Sequence, residues 1–212
     1  MIRMFRRVLI LAPHTDDGEI GCGGTIARLV DAGSEVYYLA LSAAEESVPP
    51  GFPMDALRCE VAQATAVLGI PSDHLMVEHF NVRKFPEQRQ EILEHLWKLN
   101  KELEPDLVFT PSANDIHQDH HVVAAEALRV FRRTTLLGYE EPWNNVVFST
   151  RMFVALDEEH VERKIRALGC YKTQRHRTYL NAEFIRSLAR TRGTQVQLPW
   201  AEAFEVVRWI VR

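Results

Sequence analysis

The chain has 212 residues, of which 46 % are hydrophobic and 25 % charged, with a formal net charge of −4 at pH 7. That mix is ordinary for a globular protein long enough to bury a core, and it leaves no electrostatic case for nucleic acid as a partner. Three cysteines (Cys22, Cys59, Cys170) are odd in number and widely spaced, which argues against a disulfide framework and fits a reducing, cytoplasmic setting.

The first apolar run, Val8–Pro13, is about six residues, short of the ~7–15 of a signal-peptide core. No run approaches the ~18–20 apolar residues of a membrane span, so no membrane insertion is expected. RVLILA (Arg7–Ala12) reads as a strand. TIARLVDAG (Thr25–Gly33) has helical spacing and a glycine stop. EVYYLALS (Glu35–Ser42) is a second strand, and Met54–Ile70 an amphipathic helix with Gly69 near its end and Pro71 beyond it. His74–Phe80 reads as a third strand. Pro86–Pro105 is a helix that opens and closes on prolines. DLVFTPS (Asp106–Ser112) is a fourth strand, and His120–Arg133 a helix with basic charge in its last turn. Thr134–Glu140 and Arg151–Leu156 read as strands, Asp157–Tyr171 as a helix capped by Asp157, Ala182–Gly193 as a helix, and Ala203–Val211 as a last strand.

Alternating strands and helices with continuously apolar strands imply βαβ units. The expected fold class is α/β: a Rossmann-like, mostly parallel sheet with helices on both faces, in one domain spanning 1–212. Ligands of such sheets bind beyond the carboxyl ends of the strands. Two polar clusters fall there. PHTDDGE, with His14, Asp16 and Asp17, follows the first strand. NDIHQDHH, with Asp115, His117, Asp119, His120 and His121, follows the fourth. Adjacent carboxylates repel unless a positive charge sits between them, and mixed imidazole–carboxylate donors are those of a catalytic metal rather than of a closed thiolate site.

APHTDDGEIGCGGTIARL resembles the AHPDDE…GCGGT signature of the LmbE/PIG-L zinc N-deacetylases. PSANDIHQDHHVVAAEAL resembles their second motif, an HxDH run at the start of a helix. YKTQ (Tyr171–Gln174) and Arg190–Phe204 resemble their C-terminal pattern. The resemblance implies a metal-dependent amide hydrolase that removes the acetyl group from an N-acetylated sugar or N-acetylglucosamine conjugate. It makes His14, Asp17 and His120 ligands of Zn2+, with Fe2+ or another divalent ion as alternative. It makes Asp16 the general base and His117 the stabiliser of the oxyanion. Asp119, two residues away, is expected to hold His117 by a hydrogen bond and favour its imidazolium form. Family members carry a substrate-contacting arginine near the start of the second helix, for which Arg58 is the nearest candidate. Tyr171 and Gln174 are expected to line the substrate wall, with Trp200 as a further candidate. Thr15 and Gly18 depart from the family's usual proline and glutamate without removing a ligand.

Competing readings are a metallo-β-lactamase-type hydrolase, weakened because Asp115 stands where its H-x-H-x-D-H motif has histidine, and a non-catalytic nucleotide-binding Rossmann module. GCGG (Gly21–Gly24) lacks the G-x-G-x-x-G spacing of the latter and reads instead as close approach of helix to sheet. Cys22 reads as a buried small residue and His121 as a surface or supporting one. A homo-oligomer is compatible with the sequence.

Overall fold

The computed structural model describes residues 5–211. Strand β1 (Arg7–Ala12) pairs in parallel with β2 (Glu35–Ala40) on one side and β4 (Leu107–Pro111) on the other. β3 (Leu75–Val77) extends the parallel array beyond β2, and β5 (Thr135–Tyr139) extends it beyond β4. β7 (Trp200–Arg208) runs antiparallel between β5 and β6 (Met152–Leu156), giving the order β3-β2-β1-β4-β5-β7-β6. The fold is therefore the expected α/β one, with a mostly parallel seven-stranded sheet.

Both faces of the sheet are covered, and the period-two geometry of β1 divides its side chains between two cores. Val8, Ile10 and Ala12 pack under helices α1 (Asp17–Asp31), α2 (Ala56–Leu68), α5 (Glu158–Leu168) and α6 (Ala182–Gln195). Leu9 and Leu11 pack under α3 (Arg89–Leu103) and α4 (Gln118–Val130). Continuous apolar strands are what a sheet buried on both faces demands. Among the described residues, no helix is long and apolar enough to cross a membrane.

The largest departure from the expected elements is α1, which begins eight residues before the predicted Thr25, at Asp17. Its first half carries Gly18, Gly21, Gly23 and Gly24, which have poor helix propensity, and Cys22 sits at a kink (φ −145°, ψ 24°). Tertiary packing overrides propensity here. A Cβ on Gly21 would lie 2.3 Å from Tyr139 Cδ2, and one on Gly24 2.6 Å from Leu156 Cδ1. The glycines thus let the helix lie directly on the sheet, and GCGG belongs to a helix rather than to a phosphate-binding loop. Cys22 is fully buried, as expected. β3 is shorter than predicted, and β7 starts three residues earlier.

Gly21→Ala is expected to cost about 1–2 kcal/mol. Overpacking against the Tyr139 ring outweighs the roughly 1 kcal/mol alanine gains in a helix. Thermal denaturation reads this as a lower Tm; an unchanged Tm would mean that the ring swings aside freely.

Candidate metal centre

Because β1, β2, β4 and β5 are parallel, the segments after them all emerge on one rim. β1 ends at Ala12, and a tight turn, Pro13–Asp16, leads into α1. Asp16 occupies the N-cap position but makes no capping hydrogen bond, which leaves its carboxylate facing a cavity. Asp17 turns inward and accepts the His14 backbone N–H at 2.7 Å. The turn is clamped from below by two buried phenols. Tyr38 and Tyr171 donate to the Thr15 carbonyl at 2.9 and 2.7 Å, and both also contact the Glu19 carboxyl group. Each phenol has one proton to give, so a protonated Glu19 can donate to one of the two phenols in turn. Burial pushes its pKa up to about 8 against the opposing hydrogen bonds from Tyr38 and Tyr171.

Three donor atoms from two chain segments meet at the bottom of the cavity. His14 Nδ1 lies 3.1 Å from Asp17 Oδ2, His120 Nε2 lies 3.3 Å from the same oxygen, and the two ring nitrogens are 3.4 Å apart. A tetrahedral ion with bonds of ~2.0–2.2 Å sets its donors about 3.3–3.6 Å apart, so the spacing is within a few tenths of an ångström of one face of such a coordination shell. The far nitrogen of each ring is held by a carboxylate. His14 Nε2 donates to Asp119 at 2.9 Å, and His120 Nδ1 donates to Asp115 at 2.8 Å. Each outer nitrogen is thus taken, and once the ring gives up its second proton the inner nitrogen is the one turned towards the common centre. Burial disfavours charge on His14, yet Asp17 and Asp119 outweigh it and raise its pKa to about 9. His120 is raised in the same way, by Asp17 first. Asp17 is held well below the usual carboxylate range by the two imidazoles, despite burial.

His117 stands at the N-cap of α4. Its Nδ1 accepts the backbone N–H of Asp119 at 3.2 Å, which fixes the tautomer with a proton on Nε2. Burial and the neighbouring imidazoles of His120 and His14 lower its pKa. Both the lowering and the accepting Nδ1 run against the expected imidazolium. The expected role of Asp119 is corrected too. Its carboxylate reaches His14 and the backbone N–H groups of Arg83 and Phe85, the latter at 3.2 Å, and makes no bond to the His117 ring. Helix geometry explains this: the first turn of α4 points Asp119 away from its neighbour's ring and towards the loop after β3.

The cavity above these donors measures about 340 Å³ and includes Asp16, His117, Glu141, Trp143, Gln174 and Arg177 in its lining. Burial, then the charge of Asp17, raises the pKa of Asp16 to about 6. Gln174 lies on the wall as expected. Tyr171 does not: it is buried beneath the Thr15 turn. Arg58 does not either, because its guanidinium donates to the carbonyls of Val77 and Glu78, while its neighbour Leu57 lines the cavity. Trp200 opens β7 under the Arg190 guanidinium, away from the cavity, and His121 is exposed on α4.

Glu141 was missed by the sequence reading. Its Oε1 is buried without a hydrogen-bond partner among the described residues, and Oε2 lies 3.7 Å from His120 Nδ1. Burial, then Asp17, raises its pKa well above the ordinary value. Asp17, His120 and Glu141 can also hold an ion, as can His14, His117 and His120, each group having donor atoms within 4.8 Å of one another. The signal for Glu141 was its place just past β5, on the rim that already identified the other two clusters.

Residues 9–131, more than half of the chain, match the family model described as PIG-L, GlcNAc-PI de-N-acetylase. The chain belongs to the PIG-L family of de-N-acetylases. It is 29 % identical over 153 residues to the diacetylchitobiose deacetylase of Thermococcus kodakarensis, covering 65 % of this chain and 56 % of that one. The N,N'-diacetylchitobiose deacetylase of Pyrococcus horikoshii superposes with a TM-score of 0.80 at 21 % identity, over 97 % of this chain and 85 % of the other. GalB, the 4-carboxy-2-hydroxymuconate hydratase of Pseudomonas putida, superposes with a TM-score of 0.78 at 20 % identity, over 98 % of each chain. These two likenesses are of fold. PIG-L membership accounts for the two rim motifs, both of which fall within the matched residues.

Glu19 supplies a pH test of the clamp beneath the turn. Its pKa is raised from 4.5 to about 8, so the folded state keeps a proton that the unfolded state releases. The stability linked to it is present below pH 4.5 and is lost as pH rises towards about 8. The Tm of Glu19→Gln, compared with wild type, is therefore expected to improve steadily from pH 4.5 to 8. A Tm difference that does not change with pH would mean that Glu19 is ionised throughout.

Proposed function

We propose that the protein is a zinc-dependent N-deacetylase that hydrolyses the acetamide of an N-acetylated sugar or sugar conjugate. One observation carries this reading. Two imidazole nitrogens and a carboxylate oxygen lie 3.1–3.4 Å apart, the outer nitrogen of each ring is held by a buried carboxylate, and they sit beneath a cavity that also holds Asp16 and His117. In this reading His14, Asp17 and His120 hold the ion. The same two-imidazole, one-carboxylate set also accommodates Fe2+; elemental analysis of the purified protein distinguishes the two.

When bound, the ion supplies a Lewis acid that polarises the amide carbonyl and acidifies the attacking water. Asp16, adjacent to a donor but free of capping bonds, takes the proton from water and passes it to the leaving amine. A carboxyl group tuned to about 6 suits both transfers near neutral pH. His117 donates its Nε2 proton to the oxygen on which negative charge builds; as a neutral imidazole held by a backbone N–H it needs no reorganisation to do so. Asp119 positions His14 and does not itself touch substrate. The two named relatives are diacetylchitobiose deacetylases, which supports an N-acetylglucosamine unit as the acetamide-bearing part of the substrate.

The reading is tested by acetate release from N-acetylglucosamine and N,N'-diacetylchitobiose, with and without added zinc. Full turnover in excess chelator, or none in the zinc-loaded protein, overturns it. Within the same assay, Asp16→Asn is expected to retain the metal and lose about 10²–10⁴-fold in kcat, whereas His120→Ala loses metal and turnover together. A metal-free Asp16→Asn would make Asp16 a ligand instead. Asp119→Ala is expected to weaken metal affinity about 10–100-fold, read by competition with a chromogenic chelator. Unchanged affinity would remove its positioning role.

A further inference from the structure

Arg83 and Arg177 line the cavity, Arg58 follows the lining residue Leu57, and the three differ in what neutralises them. Arg58 lies 3.9 Å from Glu45 and is occupied by backbone carbonyls. Arg83 lines the cavity within 3.8 Å of Glu46. Arg177 also lines the cavity, but among the described residues no carboxylate lies within 4.0 Å of it. Its partners are neutral. Nε donates to Gln174 Oε1 at 2.5 Å and Nη1 donates to the Tyr179 hydroxyl, while Nη2 has no hydrogen-bond partner among the described residues.

Those partners are themselves fixed. Gln174 is buried, and the Tyr179 ring is stacked on Trp143 with centroids 3.6 Å apart and planes at 15°. Trp143, Gln174, Arg177 and Tyr179 all border the space above the three donor atoms. A guanidinium aimed by two neutral groups has lost most of its rotamer freedom before any ligand arrives, and its planar fork matches phosphate and carboxylate.

We propose that Arg177 is a specificity-determining residue that binds an anionic substituent, a phosphate or a carboxylate, carried by the acylated substrate. This deepens the deacetylase reading and rests on it. Gln174 and Tyr179 are its positioning residues. The anionic substituent takes the place that a carboxylate partner occupies for Arg58 and Arg83.

The test uses the zinc-loaded full chain and three probes: N-acetylglucosamine, N-acetylglucosamine 6-phosphate and N-acetylmuramic acid. Acetate release gives kcat and KM, and calorimetry gives Kd for the corresponding deacetylated amines. Arg177→Gln is expected to lower the anionic-to-neutral ratio of kcat/KM by about 10–100-fold, through KM, with the same loss in the Kd ratio. Arg177→Lys restores part of it. The phosphate and carboxylate arms identify which anion is preferred. Arg175→Gln, an exposed position two residues away, controls for general positive charge and should leave the ratio as in wild type. An unchanged ratio in Arg177→Gln, or an equal fall in Arg175→Gln, overturns the proposal while leaving deacetylation intact. If no probe releases acetate, the deacetylase reading fails, and the Kd ratio alone then decides on Arg177.

Discussion

The carboxylate of Asp119 has no exposed surface, and such a charge is tolerable only if it is fully hydrogen-bonded. Its partners come from two other parts of the chain: the imidazole of His14 after β1, and the backbone N–H groups of Arg83 and Phe85 after β3. One side chain thereby ties α4 to the first turn and to the loop beside the cavity. Arg83 has a left-handed backbone, with φ of 68°, and the bond from its N–H to Asp119 is part of what holds it there. Asp115 acts in parallel: it accepts from the His120 ring at 2.8 Å and from the His117 backbone N–H at 2.8 Å. Two buried aspartates thus orient all three cavity histidines, one of them through the main chain.

The electrostatics reflect that arrangement. Asp16, Asp17 and Glu141 approach one another in a poorly solvated space, where like charges cannot all be carried. The protein answers by raising the pKa of Asp16 and Glu141 through burial and through Asp17, and by pairing Asp17 with two imidazoles held charged above their ordinary range. The protons in this network occupy the electrostatic role of a cation. Metal binding therefore requires proton release from His14 and His120.

Much of the centre was legible from the chain because strand ends are legible. Continuous apolar runs fix where parallel strands stop, and parallel strands deliver their C-terminal loops to one rim. His14–Asp17 and Asp115–His120 could therefore be set face to face without coordinates. The first half of α1 was illegible because its glycines answer to packing on Tyr139 and Leu156, contacts far away in sequence. Arg58 misled because being near the start of a helix does not say which way a long side chain turns; the carbonyls at the end of β3 captured it. Arg177 lies between two single 3-10 turns, Lys172–Gln174 and Thr178–Leu180, each too short for a period to mark a face. Glu141 was passed over because its strand was read only as far as Glu140.

By itself the sequence determined the fold class, the rim on which chemistry gathers and the residue types that gather there, because these depend on hydrophobic period and strand direction, both local properties. Only the tertiary structure decided which carboxylate holds which imidazole, that the His117 ring is held by a backbone N–H rather than by Asp119, and which arginine faces the cavity. Those outcomes depend on side-chain direction and desolvation, set by partners up to 105 residues away along the chain, as for His14 and Asp119.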